Sequence, residues 1–247
     1  MTKMEKLKKK LREYRNSPGS FVIFLLLVLS AVITAGVTFS IIIYVAVKGI
    51  PYLDPDMFSI KYTEENQSML PSIINTIYMT ALSLLFAVPV GIGCAIYLVE
   101  YAKRGNKFVT VIRLTAETLS GIPSIVYGLV GYLIFVIGLK LGLTLLGGSL
   151  TMATMILPLI MRTTEEALIA VPDMYREGSY GLGAGRLRTI FSIILPSAVP
   201  GILSGVILGV GRVVGETAAL IFTAGSVAKA ATSLMSSSRT LSVHMYI

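Results

Sequence analysis

Residues 21–47 form an apolar run that contains no charged side chain. The hydrocarbon core of a bilayer is about 30 Å thick, and a helix needs about 20 apolar residues to cross it. The composition extends this constraint to the whole chain, because 54% of its residues are hydrophobic and only 14% are charged. Soluble domains carry about 25% charged residues. The sequence therefore predicts an integral membrane protein.

Four further apolar segments follow the first and are separated by polar or basic loops. They lie within residues 66–99, 118–139, 142–161 and 189–228. The segment 118–139 is expected to be interrupted at Gly121-Ile122-Pro123. The predicted fold class is therefore all-α, a polytopic transmembrane helical bundle with five spans.

Basic residues are concentrated on one side of this predicted bundle. Seven Lys or Arg side chains and two Glu occupy residues 1–15, and basic loops cover residues 100–113 and 162–188. Cytoplasmic loops carry an excess of Lys and Arg, so we expect the N-terminus and both loops in the cytoplasm. A basic arm can also bind nucleic acid, but its place directly before an apolar run favours a topology signal. That run is too long for the core of a signal peptide, about 7–15 residues.

The residue inventory argues against an enzyme. One cysteine, Cys94, and one histidine, His244, exclude an intrachain disulfide and a Cys/His metal cluster. The sequence has no Walker A motif, so ATP hydrolysis would need another chain. Proline and glycine recur inside the apolar segments, as at Pro89, Gly128 and Pro158. Membrane helices tolerate them where neighbours or a cavity satisfy the backbone, which favours a transporter or a channel.

The most charged internal segment contains a helix pattern. Pro172 suits a first helical turn and Asp173 complements the helix dipole, while Gly183 can end the helix. This pattern predicts a short amphipathic cytoplasmic helix over residues 172–184, which can contact a soluble partner. An ordinary connecting loop is the alternative. Pro196 is expected to break the chain where it re-enters the membrane.

This segment resembles the cytoplasmic signature of the inner-membrane permeases of type I ABC importers. The signature reads Glu-Ala-Ala, three residues, Gly, nine residues, Ile, one residue, Leu-Pro. This sequence matches it at Glu177, Gly183, Ile193, Leu195 and Pro196. Gly178 and Ser179, which are also small, stand where the signature has its two alanines. In that family the segment is a coupling helix that docks on an ATPase subunit, so the resemblance implies docking residues Glu177, Gly178, Ser179, Gly183, Leu195 and Pro196.

Two further motifs are similar to those of phosphate permeases, and to the PstA type rather than the PstC type. Residues 121–129 read Gly-Ile-Pro-Ser-Ile-Val-Tyr-Gly-Leu, and residues 211–220 contain Gly-Glu-Thr-Ala. The resemblance implies the type I (MetI-like) importer permease fold. The chain is expected to divide into a basic arm, a first transmembrane helix, a permease core and an external tail, over residues 1–20, 21–47, 66–228 and 229–247.

Arg212 and Glu216 are the only charges within the last apolar segment. A charge near the bilayer centre costs at least about 2.5–3.5 kcal/mol, so it needs a partner or a function. Their i, i+4 spacing places both on one helix face. We predict that they line the substrate path with Thr217, where the guanidinium could bind phosphate bidentately. A structural ion pair is the alternative.

A second pair with the same spacing precedes the third predicted span. Arg113 and Glu117 are also four residues apart, and an interfacial, structural role is expected for them.

The resemblance implies a permease subunit that moves inorganic phosphate into the cell. The implied partners are a second, PstC-like permease subunit, two ATP-binding subunits, an extracytoplasmic phosphate-binding protein and the lipid bilayer, without nucleic acid. No catalytic residue, cofactor or metal is expected in this chain. The alternatives are import of sulfate, molybdate or an organic solute by the same fold, or an ion-coupled secondary transporter.

Members of the resembled family end with a sixth span that returns to the cytoplasm. Residues 229–247 contain Lys229, Arg239 and a serine cluster, so they cannot supply about 20 apolar residues. We therefore expect the last span to be missing, which would leave an apolar groove along the late spans. A natural five-span form is the alternative.

Overall fold

The computed structural model describes residues 18–103 and 105–247. Every regular element in these ranges is helical, which confirms the predicted all-α class. Most of the predicted basic arm, and Arg104 of the basic loop, lie outside the described residues. The chain divides into two compact units, one ending at Pro55 and one over Asp56–Ile247, and each is described by itself.

The first unit contains one long helix, α1, at Pro18–Gly49. It is long and apolar enough to cross a membrane. The hydroxyls of Ser30, Thr34 and Thr38 donate to carbonyl oxygens three or four residues earlier, at 2.8–2.9 Å. These polar groups are therefore satisfied inside the helix, as a lipid environment requires.

The second unit contains α2 to α9 in its described residues. Three of them, α2, α4 and α7, include a π-helical turn, and α2, α5 and α7 are long and apolar enough to cross a membrane. The helices are α2 (Leu70–Tyr101), α3 (Lys107–Ser120), α4 (Ser124–Gly138), α5 (Leu145–Ile169), α6 (Asp173–Gly181), α7 (Arg186–Val214), α8 (Ala218–Thr223) and α9 (Leu241–Tyr246).

Helix α5 is the centre of this unit. Of its most apolar stretch, 67% is buried, compared with 28% for α2 and for α7. Two clusters of buried apolar side chains lie along α5. The first joins α2, α5 and α8 through Met79, Ile156 and Leu220, and the second joins α2, α5 and α7 through Leu98, Leu168 and Ile194.

The third predicted span, residues 118–139, is interrupted in the structure where the sequence predicts an interruption, at residues 121–123. Helix α3 ends at Ser120, α4 begins at Ser124, and the two are bent by 105°. Pro123 has no N–H to donate, and its ring clashes with a preceding helical turn, while Gly121 is a poor helix former. The chain therefore turns between the two helices, and the pair counts as a fifth span only if it is taken as one broken span.

The predicted fifth span, residues 189–228, is corrected in two ways. Helix α7 ends at Val214, and the chain breaks before α8. The expected break at Pro196 does not occur, because the helix runs through this proline directly after a π-helical turn, Ile190–Ile194. Proline has no N–H and cannot donate the usual helical hydrogen bond. The π turn before it shifts the hydrogen-bond register, so the helix can continue without that bond.

The segment predicted as an external tail packs against the unit. The N–H groups of Leu145 and Leu146 donate to the carbonyls of Ser236 and Leu234, at 3.0 and 2.9 Å. Val243 in α9 is fully buried in the first apolar cluster. Residues 229–247 therefore complete the core at the end of the unit where α2 and α5 begin.

The close approach of α4 to the backbone of α8 gives a test of this packing. A Cβ atom on Gly128 would lie 2.7 Å from the Cα of Ala219 in α8, whereas one on Gly93 would meet nothing within 4 Å. Backbone cannot yield as a flexible side chain can, so we expect Gly128→Ala to destabilise the protein by about 1–3 kcal/mol. Gly93→Ala is the matched control and should be neutral or slightly stabilising. Thermal unfolding midpoints in detergent measure both, and equal midpoints would contradict the α4–α8 contact.

Candidate functional site

Helix α6 lies within the segment where a cytoplasmic helix is predicted. It covers Asp173–Gly181. It ends in a double hydrogen bond, from Gly183 N to Tyr180 O at 2.9 Å and from Ala184 N to Ser179 O at 3.1 Å. Gly183 has a φ of +81°, a conformation that other residues adopt at a cost. The signature glycine is therefore required by the backbone of the turn.

Arg176 fixes α6 to the rest of the unit. Its guanidinium donates to Glu100 Oε1 at 2.8 and 3.1 Å, and to the carbonyl oxygens of Leu168 and Val171 at 2.9 and 2.8 Å. It also lies 3.2 Å from Asp173 Oδ1. The side chains of Arg176 and Glu100 are only 14% and 6% exposed, so this pair is buried and richly hydrogen-bonded.

The outward side of this segment presents most of the predicted docking residues. Glu177, Gly178 and Gly183 are exposed. Two apolar side chains beside them in the sequence are also exposed, Met174 at 70% and Leu182 at 91%. The surface therefore combines apolar side chains, one carboxylate and glycine backbone, a combination that suits contact with a protein partner.

Two of the predicted docking residues lie beneath that surface. Ser179 is buried, and its hydroxyl is hydrogen-bonded to the Thr189 hydroxyl of α7 at 2.8 Å. Leu195 is half-buried and packs against the second apolar cluster, whereas Pro196 is exposed. Ser179 and Leu195 therefore join α6 and α7 to the bundle.

The charged residues of α3 pair with α5 and not with each other. Arg113 lies 2.5 Å from Glu165, and Glu117 lies 3.7 Å from Arg162, which is also 3.3 Å from Glu166 within α5. The i, i+4 spacing of Arg113 and Glu117 does not produce a pair, because longer-range partners are closer. Both residues instead hold α3 to α5.

Arg212 is half-buried in the last turn of α7. The alternative of an ion pair with Glu216 is not found among the described residues, because α7 ends at Val214 and Glu216 lies beyond it. The Glu216 carboxylate accepts a hydrogen bond from the N–H of Ala219 at 3.2 Å and so caps α8, which half-buried Thr217 precedes. Arg212 forms no ion pair with a carboxylate in the described part of the chain.

Tyr127 brings the two sequence motifs together. Its hydroxyl donates to the carbonyl of Leu119 at 2.9 Å, across the break between α3 and α4. The charge of Arg212 acts on the same phenol group, so both residues lie in one neighbourhood. The contact of Gly128 with Ala219 joins the same motifs one residue further on. The structure thus places the motif of residues 121–129 against the break that follows Arg212.

Residues 87–245 match a protein family described as the binding-protein-dependent transport system inner membrane component. The matched range includes α6, Tyr127 and Arg212. The chain belongs to this family. It is therefore a multi-pass membrane component of a transport system, and not an enzyme.

Individual relatives agree with the family. A probable ABC transporter permease protein of Bacillus subtilis, YqgI, is 36% identical over 80% of this chain and 67% of its own length. The phosphate transport system permease protein PstA of Mycobacterium leprae is 37% identical over 62% of this chain and 50% of its own length. The Haemophilus influenzae PstA is 34% identical over 72% and 63%. The chain thus spans about half to two thirds of the length of these relatives.

Sequence reasoning missed two residues of this arrangement. Glu100 precedes its partner Arg176 by 76 positions, and no local pattern links them. Tyr127 lies in a quoted motif but has no charge or spacing that marks it. A tyrosine inside an apolar segment is the only signal that was available.

The Arg176–Glu100 pair predicts how firmly α6 is held. Removing one partner of a buried ion pair costs about 3–5 kcal/mol, because the other charge remains buried without compensation. We expect Arg176→Gln to speed hydrogen exchange across residues 171–185, while Arg188→Gln, which alters an exposed arginine nearby, does not. Hydrogen exchange read by mass spectrometry measures this difference. Equal exchange in the two variants would show that the pair does not anchor α6.

Proposed function

We propose that this chain is the permease subunit of an ABC importer that carries inorganic phosphate into the cell. The observation that carries the proposal is Arg212, a half-buried guanidinium in an apolar helix without a described carboxylate partner. Such a charge is costly in a membrane unless it has a function. A planar guanidinium matches two oxygens of a phosphate. The names of the PstA relatives support this cargo.

The residues around Arg212 would form part of the substrate path. Tyr127 supplies a phenol group within the electrostatic influence of Arg212. Glu216 and Thr217 lie at the break between α7 and α8, where an interrupted helix leaves backbone groups free to meet a solute. In this role Arg212 attracts the anion, and Glu216 shapes the break through its bond to Ala219.

The exposed side of α6 would transmit the conformational change of the ATPase subunits to this chain. Glu177, Gly178, Gly183 and Leu182 form its surface, and Arg176 ties that surface to α2 and α5. A displacement of α6 would therefore move two of the candidate spans with it. Two ATP-binding subunits are the proposed partners on this side, one of them on this chain.

The remaining partners and the orientation follow from the same assignment. Docking to an ATPase would put α6 in the cytoplasm, and the distribution of basic residues supports a cytoplasmic N-terminus as well. A second, PstC-like permease subunit would complete the path, and an extracytoplasmic phosphate-binding protein would deliver the anion at the opposite face.

Substitution of Arg212 tests its place on the path. We expect Arg212→Gln to lower ATP-dependent phosphate uptake roughly tenfold or more, because a hydrogen bond to a charged group contributes about 1.5–3 kcal/mol. Assembly with the partner subunits should persist. Lys140→Gln removes an exposed cation between α4 and α5 and serves as the control. Uptake at the control level in Arg212→Gln would refute the assignment.

The cargo itself is tested by competition. The B. subtilis relatives YqgI and YqgH are described as probable ABC transporter permeases without a named substrate, so sulfate or molybdate is the specific rival. Reconstituted transporter should take up labelled phosphate in the presence of excess sulfate or molybdate. If excess sulfate or molybdate abolishes the uptake of labelled phosphate, that competing anion and not phosphate is the cargo.

The docking surface is tested on Leu182, which is 91% exposed. A carboxylate at the centre of an apolar contact is left without a partner, so we expect Leu182→Glu to weaken ATPase binding about tenfold or more. Met235→Glu is the matched control, because Met235 is also an exposed apolar residue and belongs to the segment that packs on the other end of the unit. Affinities measured with purified ATPase decide the matter, and equal loss in both variants would argue against α6 as the docking site.

A further inference from the structure

Arg239 is a buried cation without a counter-ion among the described residues. Its residue is 7% exposed, and its guanidinium forms no ion pair or side-chain hydrogen bond with any residue in the described ranges. Its Nε is fully buried without a hydrogen-bond partner. The group lies 4.7 Å above the ring of Tyr62, which supplies a cation–π contact but no oxygen acceptor. Burial of a charge with so little compensation is costly.

Other unpartnered polar atoms are concentrated around it. Five buried side-chain atoms in the described residues have no hydrogen-bond partner, and four of them belong to Arg239, Ser238, Ser72 and His244. The fifth is the hydroxyl of Thr164 in α5. Unpartnered buried groups destabilise a protein, so each of these atoms calls for a partner outside the described protein atoms.

Hydrogen bonds bring these residues together on the first turns of α2. Asn75 Nδ2 donates to the carbonyl of Arg239 at 3.1 Å. The N–H of Leu241 donates to Thr76 Oγ1 at 2.8 Å, and that hydroxyl donates to the carbonyl of Ser72 at 2.7 Å. The segment that carries Ser238 and Arg239 is therefore tied to the helical turn that carries Ser72.

His244 contacts the same aromatic ring. Its imidazole lies edge-to-face to the Tyr62 ring, with the two ring centroids 6.1 Å apart. Burial, and then the charge of Arg239, lower the pKa of His244, so the ring is neutral at pH 7. Nδ1 has no hydrogen-bond partner, so in the neutral ring it can offer a lone pair to a ligand.

We propose that Arg239, Ser238, Ser72 and His244 form a binding site for a tetrahedral oxyanion, separate from Arg212. The guanidinium supplies charge and paired N–H donors, the two hydroxyls supply further donors, and His244 Nδ1 accepts from a hydroxyl of the anion. A single carboxylate has too few oxygens for all these groups, whereas a hydrogen phosphate has enough. The choice of phosphate as the cargo rests on the proposed function, but the site itself does not.

The position of this site gives it a role as an entry site. Asn75 and Glu100 are separated by about 38 Å along α2, at 1.5 Å per residue, so the site lies at the end of the unit away from α6. The hydroxyl of Ser242 donates to the carbonyl of Glu216 at 2.6 Å. The segment that carries Arg239 is thus hydrogen-bonded to the break that follows Arg212, which supports an order of binding from Arg239 to Arg212.

Equilibrium binding of inorganic phosphate by the protein in lipid nanodiscs tests the proposal. We expect the wild type to bind phosphate, Arg239→Gln to bind it roughly tenfold or more weakly, and Lys140→Gln to bind it like the wild type. Arg212→Gln should retain binding at Arg239 while it loses uptake. Wild-type affinity in Arg239→Gln, or no binding by the wild type, would overturn the site. Normal uptake by Arg212→Gln would instead overturn the proposed function.

A second set of variants separates binding from a structural role. Removal of a buried hydroxyl that has no partner should not destabilise the unliganded protein. We therefore expect Ser72→Ala and Ser238→Ala to keep or raise the melting temperature without phosphate, and yet to weaken phosphate binding. Thr164→Ala removes the unpartnered hydroxyl outside the site and should leave the affinity unchanged. Unchanged affinity in both serine variants would show that the cluster does not bind phosphate.

Discussion

The guanidinium of Arg176 bonds at once to Glu100 of α2, to the carbonyls of Leu168 and Val171 at the end of α5, and to Asp173 of its own helix. One side chain therefore holds the ends of three helices. Because the pair with Glu100 is almost fully buried, separating the charges would leave both without solvent or partner. The position of α6, and hence of its exposed surface, depends on this contact.

Cations in this unit fall into two groups according to their partners. Arg113, Arg162 and Arg176 pair with carboxylates and hold helices together. Arg212 and Arg239 have no described carboxylate partner, and both are partly or largely buried. A low-dielectric interior makes unpaired charge expensive, so the two groups have different physical roles. The paired arginines hold helices together, and Arg212 and Arg239 are the donors that we propose for an anion.

Local chemistry was sufficient to predict the helical class, the apolar spans and α6 with its terminating Gly183. It predicted the interruption at Pro123 but not the continuous helix at Pro196, and both are prolines within apolar sequence. The first lies at a 105° break, and the second lies inside a helix that continues because a π turn precedes it. The same residue type gives opposite outcomes, because the neighbouring helices decide whether a turn or a shifted register packs better. The signature at 177–196 likewise could not show that Ser179 faces inward.

The sequence by itself determined that this protein is a helical membrane protein with a short polar helix between its late spans. Hydropathy, glycine and proline act over a few neighbouring residues, so they can be read along one chain. Only the tertiary structure decided which charged side chains become partners. The sequence pattern puts Arg113 and Glu117 on one face of a helix, but Arg113 binds Glu165 of another helix. Likewise Glu216 does not pair with Arg212, and its carboxylate instead caps α8. Electrostatic partners are chosen by distance in space, and that distance is set by how whole helices pack.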